Sequence, residues 1–405
     1  MPHAATSATV TPPAAIKHLA AGFSLAEIER LVLLRSPALR AAEEEYRAVG
    51  ERYAQSTALN DLLGRYAAFT RGSILPAATG GDFPFPGLTA LRSDIVRQET
   101  AVAAEQLAIS RRTVLTAARR AFWELFYAHQ AHTIALRDYE VVDSLKNTTA
   151  AAYAAGKKTI EELLRVDMDH GLMKEAIPIR LEARQVREAE LLALLDLPSA
   201  TRLGVPRAGE PLTELPALAA LEQQALTNRQ ELRALRAGIV KTELLIALAE
   251  AESNPGYTLG TAAGPAPASD NLAPAALSPR GAFHGLEQGY LRELRRTLAA
   301  QRHRLTAEEA STRALVQGAW TQLSKALREE RLARDKVIPL ARTALDTTTA
   351  AYAAGNAGYP QMLDASSRWF AATLNRQRSR ADIGLARASL AEASGNDTGS
   401  SAHRD

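Results

Sequence analysis

Between Gly87 and Gly156 the chain contains neither glycine nor proline. Those residues cost a helix about 1 and 3 kcal/mol relative to alanine. A run without them can form one helix of roughly 100 Å at 1.5 Å per residue. Within it Leu115, Ala118, Phe122 and Leu125 recur at 3-4-3 spacing, the seam of a coiled coil. The pattern continues at Ala128 and Leu136 and weakens at His129 and His132. A helix this long is expected to bury its seam against other long helices rather than inside a compact domain.

The second half of the chain repeats the plan. "TTAAAYAAGKKTIEELL" from Thr148 is echoed by "TTTAAYAAGNAGYPQML" from Thr347, and "AFWELFYA" at Ala121 by "AWTQLSKA" at Ala319. "SPALRAA" at Ser36 is answered by "RQELRAL" at Arg229. The constant order of these segments is the signature of an internal duplication. Residues 290–354 read as helical, with Leu305, Leu315, Trp320 and Leu323 as apolar markers, interrupted at Gly318 and Pro339. Pro339 is expected to kink that helix or divide it. Gly156 and Gly355 are expected to take positive φ and close the helices at helix–turn–helix tips, with Tyr153 and Tyr352 packing one turn back.

The expected architecture is therefore all-α, two duplicated long antiparallel helical hairpins. An N-terminal tail covers 1–23, and the first repeat 24–197 with an irregular insert at 64–87. A Pro-bearing linker covers 198–216, and the second repeat 217–394 with an irregular insert at 254–289. A disordered tail is expected at 395–405.

Composition narrows the function. The 405 residues are 46% hydrophobic but only 5% aromatic, which suits closely approaching alanine-rich helices better than a thick globular core. A net charge of +3, with both signs interspersed, gives no nucleic-acid footprint. The absence of cysteine excludes disulfides, cysteine-ligated metal centres, cysteine nucleophiles and a lipidated N-terminal cysteine. There is no apolar run long enough for a transmembrane helix. The N-terminus lacks a basic segment followed by an unbroken apolar one, so no export signal is visible in the chain. There is no phosphate-cradling loop or nucleophile elbow, and neither an enzyme nor a cofactor is expected. His129 with His132, and Asp167 with His170, have i,i+3 spacing that permits shared metal ligation. An ordinary helix surface explains them equally, and no metal is expected.

The duplicated hairpin with its "AYAAG" tips, "MLDA" after the second tip, "FPFPGLTALR" at Phe83 and "RRAFWELFYAHQAH" resemble the TolC-like outer-membrane efflux ducts, in particular their heavy-metal-efflux subgroup. The resemblance covers roughly 24–395. It implies a homotrimer whose hairpins build a helical tunnel, with tips that meet a periplasmic adaptor linked to an inner-membrane pump. It also implies a β-barrel at the far end of the helices, in the outer membrane.

Two departures stand out. The inserts that would supply the barrel carry Pro76, Pro84 and Pro86 in one, and Pro255, Pro265, Pro267, Pro274 and Pro279 in the other. Proline removes ladder donors and a closed barrel has no edges, so the barrel is expected to be short or absent. The acidic pair that constricts the tunnel in the family is matched by Gln361 and Asp364, retaining one acid. In a trimer Asp364 would form a cation-attracting ring. The first repeat has Glu162 and Arg165 there, at a spacing that allows them to pair with each other. Gate candidates are thus Asp364, Gln361, Glu162 and Arg165. Adaptor-docking candidates are Tyr153, Gly156, Lys157, Lys158, Tyr352 and Gly355. The two lysines also suit the C-terminal end of a helix dipole.

The leading expectation is a trimeric TolC-like efflux-duct component for small solutes, located in the cell envelope, in the outer membrane or periplasm. The alternative is a barrel-less soluble helical scaffold derived from the same family and not itself a channel, with a cytoplasmic location open.

Overall fold

A computed structural model describes residues 19–56, 85–209, 215–253 and 284–396. The chain groups into two compact units, each drawing on both repeats. One comprises 1–37, 112–222 and 315–405; the other comprises 38–111 and 223–314.

In chain order the elements begin with β1 (Phe23–Ser24), α1 (Leu25–Arg35), α2 (Pro37–Ser56), α3 (Phe85–Ala154) and α4 (Ile160–Leu194). They continue with β2 (Pro206–Arg207), α5 (Leu218–Asn228), α6 (Gln230–Ser253) and α7 (His284–Leu332). A π-helical turn (Ala333–Val337) leads into α8 (Ile338–Ala353), and α9 (Tyr359–Ser394) ends the described chain. The all-α expectation holds. The sole strand pairing among the described residues is the parallel β1–β2 pair, Phe23 opposite Pro206. The greater part of both barrel-position inserts lies outside the described residues. Where they enter them, at 85–87 and 284–289, the chain is already helical and begins α3 and α7.

In the unit containing the hairpin tips, the expected seam is buried. Leu115, Ala118, Phe122 and Leu125 are at most 3% exposed and pack with Phe23, Ile28, Val32, Leu191 and Leu195. Phe122 meets Phe23 edge-on at 6.0 Å. Beyond Leu125 the seam runs through Ala128, Ala131, Ile134, Val142 and Leu145, whereas Leu136 is exposed. The residue between Ile134 and Val142 on that line is Asp138, a carboxylate placed where an apolar side chain is the rule. Arg378 of α9 reaches Glu124 of α3 at 3.2 Å. Gly384 lies so close to the Trp123 indole that a Cβ would overlap the ring.

The second repeat's seam is regular: Thr312, Val316, Ala319, Leu323, Ala326, Glu330 and Ala333 are all buried. Steps of four and three place Val316 in the seam and turn its neighbour Leu315, expected as a marker, to the outside. Gly318 does not interrupt α7. It sits on an exposed face between two buried seam residues, and one such glycine costs only about 1 kcal/mol. Trp320 is half-buried, its Nε1 donating to Pro216 O at 2.8 Å.

Pro339 divides the helix, as expected, and the π turn shows how. In an α-helix its ring would meet the carbonyl four residues back. Here the Ile338 N–H bonds five residues back to Ala333 O, widening the turn ahead of the proline. The two repeats register this as one extra residue: "AFWELFYA" and "AWTQLSKA" lie 198 apart, the "AYAAG" tips 199. One turn before the widening, buried Glu330 is held at 3.4 Å by both Arg334 and Arg376 of α9.

The other unit is more polar. Buried Arg229 bonds Thr312 at 2.9 Å and contacts Glu231 and Glu308. Lys241 pairs with Glu99 and Arg236 with Glu309. Leu39, Ile95, Ala225, Leu232 and Leu294 are its buried apolar side chains among the described residues.

Candidate functional site at the hairpin tips

Each hairpin turns through a five-residue link, 155–159 between α3 and α4 and 354–358 between α8 and α9. Both outgoing helices end identically. Gly156 has φ +71° and Gly355 +77°, a region that costs any residue with a Cβ. The Gly156 N–H bonds Tyr153 O and the Lys157 N–H bonds Ala152 O, both at 2.9 Å. The Gly355 N–H bonds Tyr352 O and the Asn356 N–H bonds Ala351 O. This is the double-bonded Schellman closure, made twice.

The return helices start differently. Thr159 caps α4, its Oγ1 accepting from the Glu162 N–H. At α9 the Gln361 side chain does the reverse, its Oε1 accepting from the Gly358 N–H at 2.9 Å. The expected gate residues therefore have local partners. Gln361 caps a helix, and Asp364 pairs with Arg368 one turn on at 2.8 Å, both well exposed. The anticipated Glu162–Arg165 pair does not form. Glu162 goes to Lys158 of the link and Arg165 to Glu161, each at 3.2 Å and i,i+4; the Glu161–Arg165 pair, one turn apart on α4 with the acid first, has the favourable helical order.

The two tip tyrosines are equivalent in sequence but not in surroundings. Tyr352 is half-buried; its hydroxyl shares a 2.9 Å hydrogen bond with Thr149 Oγ1 of the first repeat, and Lys158 Nζ lies 4.8 Å over its ring. Tyr153 is 41% exposed. A second tie, absent from the sequence reading, lies nearby. Fully buried Tyr359 donates to Asp169 Oδ2 at 3.0 Å. Burial and that carboxylate hold its hydroxyl protonated well above the usual phenol range. Around it Leu145, Val166, Leu345, Met362 and Ala365 form the apolar centre of the tips, with Val141, Tyr352, Leu363 and Trp369 against it. The signal for this tie was a break in the duplication: Tyr359 stands where the first repeat has Ile160.

Farther from the tips, on α3 and α4, the two candidate ligand pairs find other partners. His170 bonds Asp143 at 2.9 Å while Asp167 pairs with Lys146. His129 faces Glu188 at 3.4 Å. Burial, with the neighbouring Arg184 and His132, pushes the His129 imidazole down to about 4 and keeps it neutral, while burial raises the Glu188 carboxyl, which Arg184 pairs at 3.2 Å. Burial likewise raises Asp138 to about 6. Among the described residues no group of His, Asp or Glu could hold a metal ion, and no helix is long and apolar enough to cross a membrane.

No protein-family model and no curated protein sequence matches the chain. Solved structures do. The outer-membrane channel OprN has a TM-score of 0.69 at 14% identity, over 92% of this chain and 90% of that one. The outer membrane protein VceC from Vibrio cholerae gives 0.68 at 14% identity, over 92% and 96%. CusC, described as undergoing conformational changes that accompany folding and transmembrane channel formation, gives 0.63 at 14% identity over 92% of both chains. The chain has the fold of the TolC-family outer-membrane efflux channels.

Proposed function

We propose that three copies of this chain assemble as a TolC-like efflux duct in the cell envelope, passing small solutes through a helical tunnel. The observation that carries this reading is the match to channel structures over 92% of the chain, both hairpins included. A long hairpin cannot bury all of its apolar surface alone, and closure of several into a ring removes the exposed seams. Its place in the envelope would be the outer membrane, where the channels that share this fold are found. The hairpin tips, through Gly156, Lys157, Lys158 and Gly355, would meet a periplasmic adaptor that links the duct to an inner-membrane pump. Transport here requires no chemistry, only a polar lumen and a constriction.

The constriction in this reading is formed by Asp364 and Gln361 with their repeat equivalents Arg165 and Glu162. Arg368 beside Asp364 tempers the cation-attracting ring that three unpaired carboxylates would make. Planar-bilayer recording from the purified chain tests the proposal. Discrete conductance steps support it, and a bilayer that stays closed at every protein concentration speaks against it.

A further inference from the structure

Resting on the multi-copy reading just given, we infer that Tyr153 of one copy bonds Thr348 of the next. This pair joins copies head to tail by the same latch that Tyr352 and Thr149 make inside one chain. The argument comes from the duplication. The echo from Thr148 and Thr347 runs at a constant offset of 199, which makes Tyr153 the equivalent of Tyr352 and Thr348 the equivalent of Thr149. The second repeat offers a tyrosine and the first accepts it with a threonine, at 2.9 Å. Each repeat also carries the half that this contact leaves unused. Tyr153 is 41% exposed, and neither Tyr153 Oη nor Thr348 Oγ1 donates a hydrogen bond among the described residues. A contact that pairs one face of the first repeat with a different face of the second is heterologous, so repeating it between copies gives a ring where the rotation closes, as the duct reading requires, and not a two-fold dimer.

The surfaces beside the unused halves agree. The α9 face that meets the first repeat holds Tyr359 and Arg378. Its equivalent on α4 begins at Ile160 and passes Ile179. Both positions belong to an apolar stripe along α4, Ile160, Leu164, Met168, Leu172, Ile179 and Val186, every one more than half exposed. On the accepting side Leu340 is 70% exposed, and its equivalent Val141 packs into the tip core. Arg368 stands where Asp169 accepts from Tyr359, so its aliphatic stem would lie against Ile160. The contact between copies is thus a more apolar version of the one within the chain. It takes Tyr153 out of the adaptor surface and leaves Gly156 and exposed Lys157 there.

The natural absence of cysteine makes the test direct. Chains carrying Tyr153→Cys and chains carrying Thr348→Cys are co-expressed and treated with a bismaleimide of about 8 Å reach. A cross-linker is needed because a tyrosine–threonine hydrogen bond holds Cα atoms farther apart than the ~7 Å limit for a disulfide. The expected product is a covalent pair containing one chain of each kind, with neither variant pairing with itself. A Tyr352→Cys, Thr149→Cys double variant serves as control and cross-links within one chain. Native mass of the uncross-linked chain is read alongside. A multi-copy assembly whose control reacts but whose mixed pair does not, or whose Tyr153→Cys chains pair with each other, overturns the inference while leaving the duct reading standing. A single-copy mass overturns both.

Discussion

Tyr359 Oη donates to Asp169 Oδ2 at 3.0 Å, binding the return helix of the second repeat to that of the first. Tyr352 and Thr149 make a parallel tie between the outgoing helices. A buried phenol bonded to a carboxylate is worth about 1.5–3 kcal/mol, a hydroxyl pair about 1 kcal/mol. Tyr359→Phe is therefore expected to lower stability by about 2 kcal/mol and Tyr352→Phe by about half that. Amide exchange over the first turns of α9 should quicken in Tyr359→Phe. Protection equal to that of the unaltered chain would show that apolar packing alone holds the tips.

Gly384 is a position where sequence pattern alone suggests nothing and the fold demands the smallest residue. Trp123 occupies the space a Cβ would need. Interior helical Gly→Ala normally stabilises by up to about 1 kcal/mol, but overpacking costs about 1–3 kcal/mol. Gly384→Ala is expected to lower the unfolding midpoint, accompanied by a shift in tryptophan emission. A raised midpoint would mean the indole moves aside freely.

Two groups perturbed by burial, His129 buried and Asp138 partly so, give opposite pH slopes. His129, pushed down to about 4, stays neutral in the fold while the unfolded chain protonates near 6.5. Its contribution is complete above pH 6.5 and falls as pH drops toward 4. Asp138, raised to about 6, keeps a proton that the unfolded chain releases near 3.8. Its contribution is present below pH 3.8 and lost as pH rises through 6. His129→Leu should shed about 2 kcal/mol of the stability loss between pH 6.5 and 4, as an upper figure for a mostly buried ring. Asp138→Asn should gain about 1 kcal/mol at pH 7.5, discounted for partial exposure, and nothing at pH 4. Denaturant midpoints across that range check both; curves parallel to the parent would refute the assignments.

The charge pair at the proposed constriction gives a transport prediction. Arg368→Gln leaves Asp364 unbalanced and should move the reversal potential toward cation preference in a salt gradient. Asp364→Asn should move it the other way. An identical potential in both variants would take this pair out of the lumen.

What the sequence made legible follows from the reach of its signals. The α3 seam, the division at Pro339 and the glycine closures at 156 and 355 depend on local backbone chemistry and periodicity, so residue order alone exposes them. Leu315 and Leu136 were misplaced because apolar identity does not fix helical phase. Val316 occupies the seam in one case, and Asp138 follows in line in the other. The gate candidates were located at equivalent turns of the two return helices, yet their partners were not legible. Lys158, Glu161 and Arg368 compete for the same charges, and rotamers decide among them. The Tyr359–Asp169 and Arg378–Glu124 ties join residues far apart in sequence, which no pattern within one helix reveals.

If the chain works as a multi-copy duct, native mass together with detergent requirement in one preparation reads it most directly. A duct of three copies is extracted from membranes only with detergent and has the mass of three chains. A chain that stays in aqueous solution without detergent as a single copy would contradict it and favour a helical scaffold that spans no membrane.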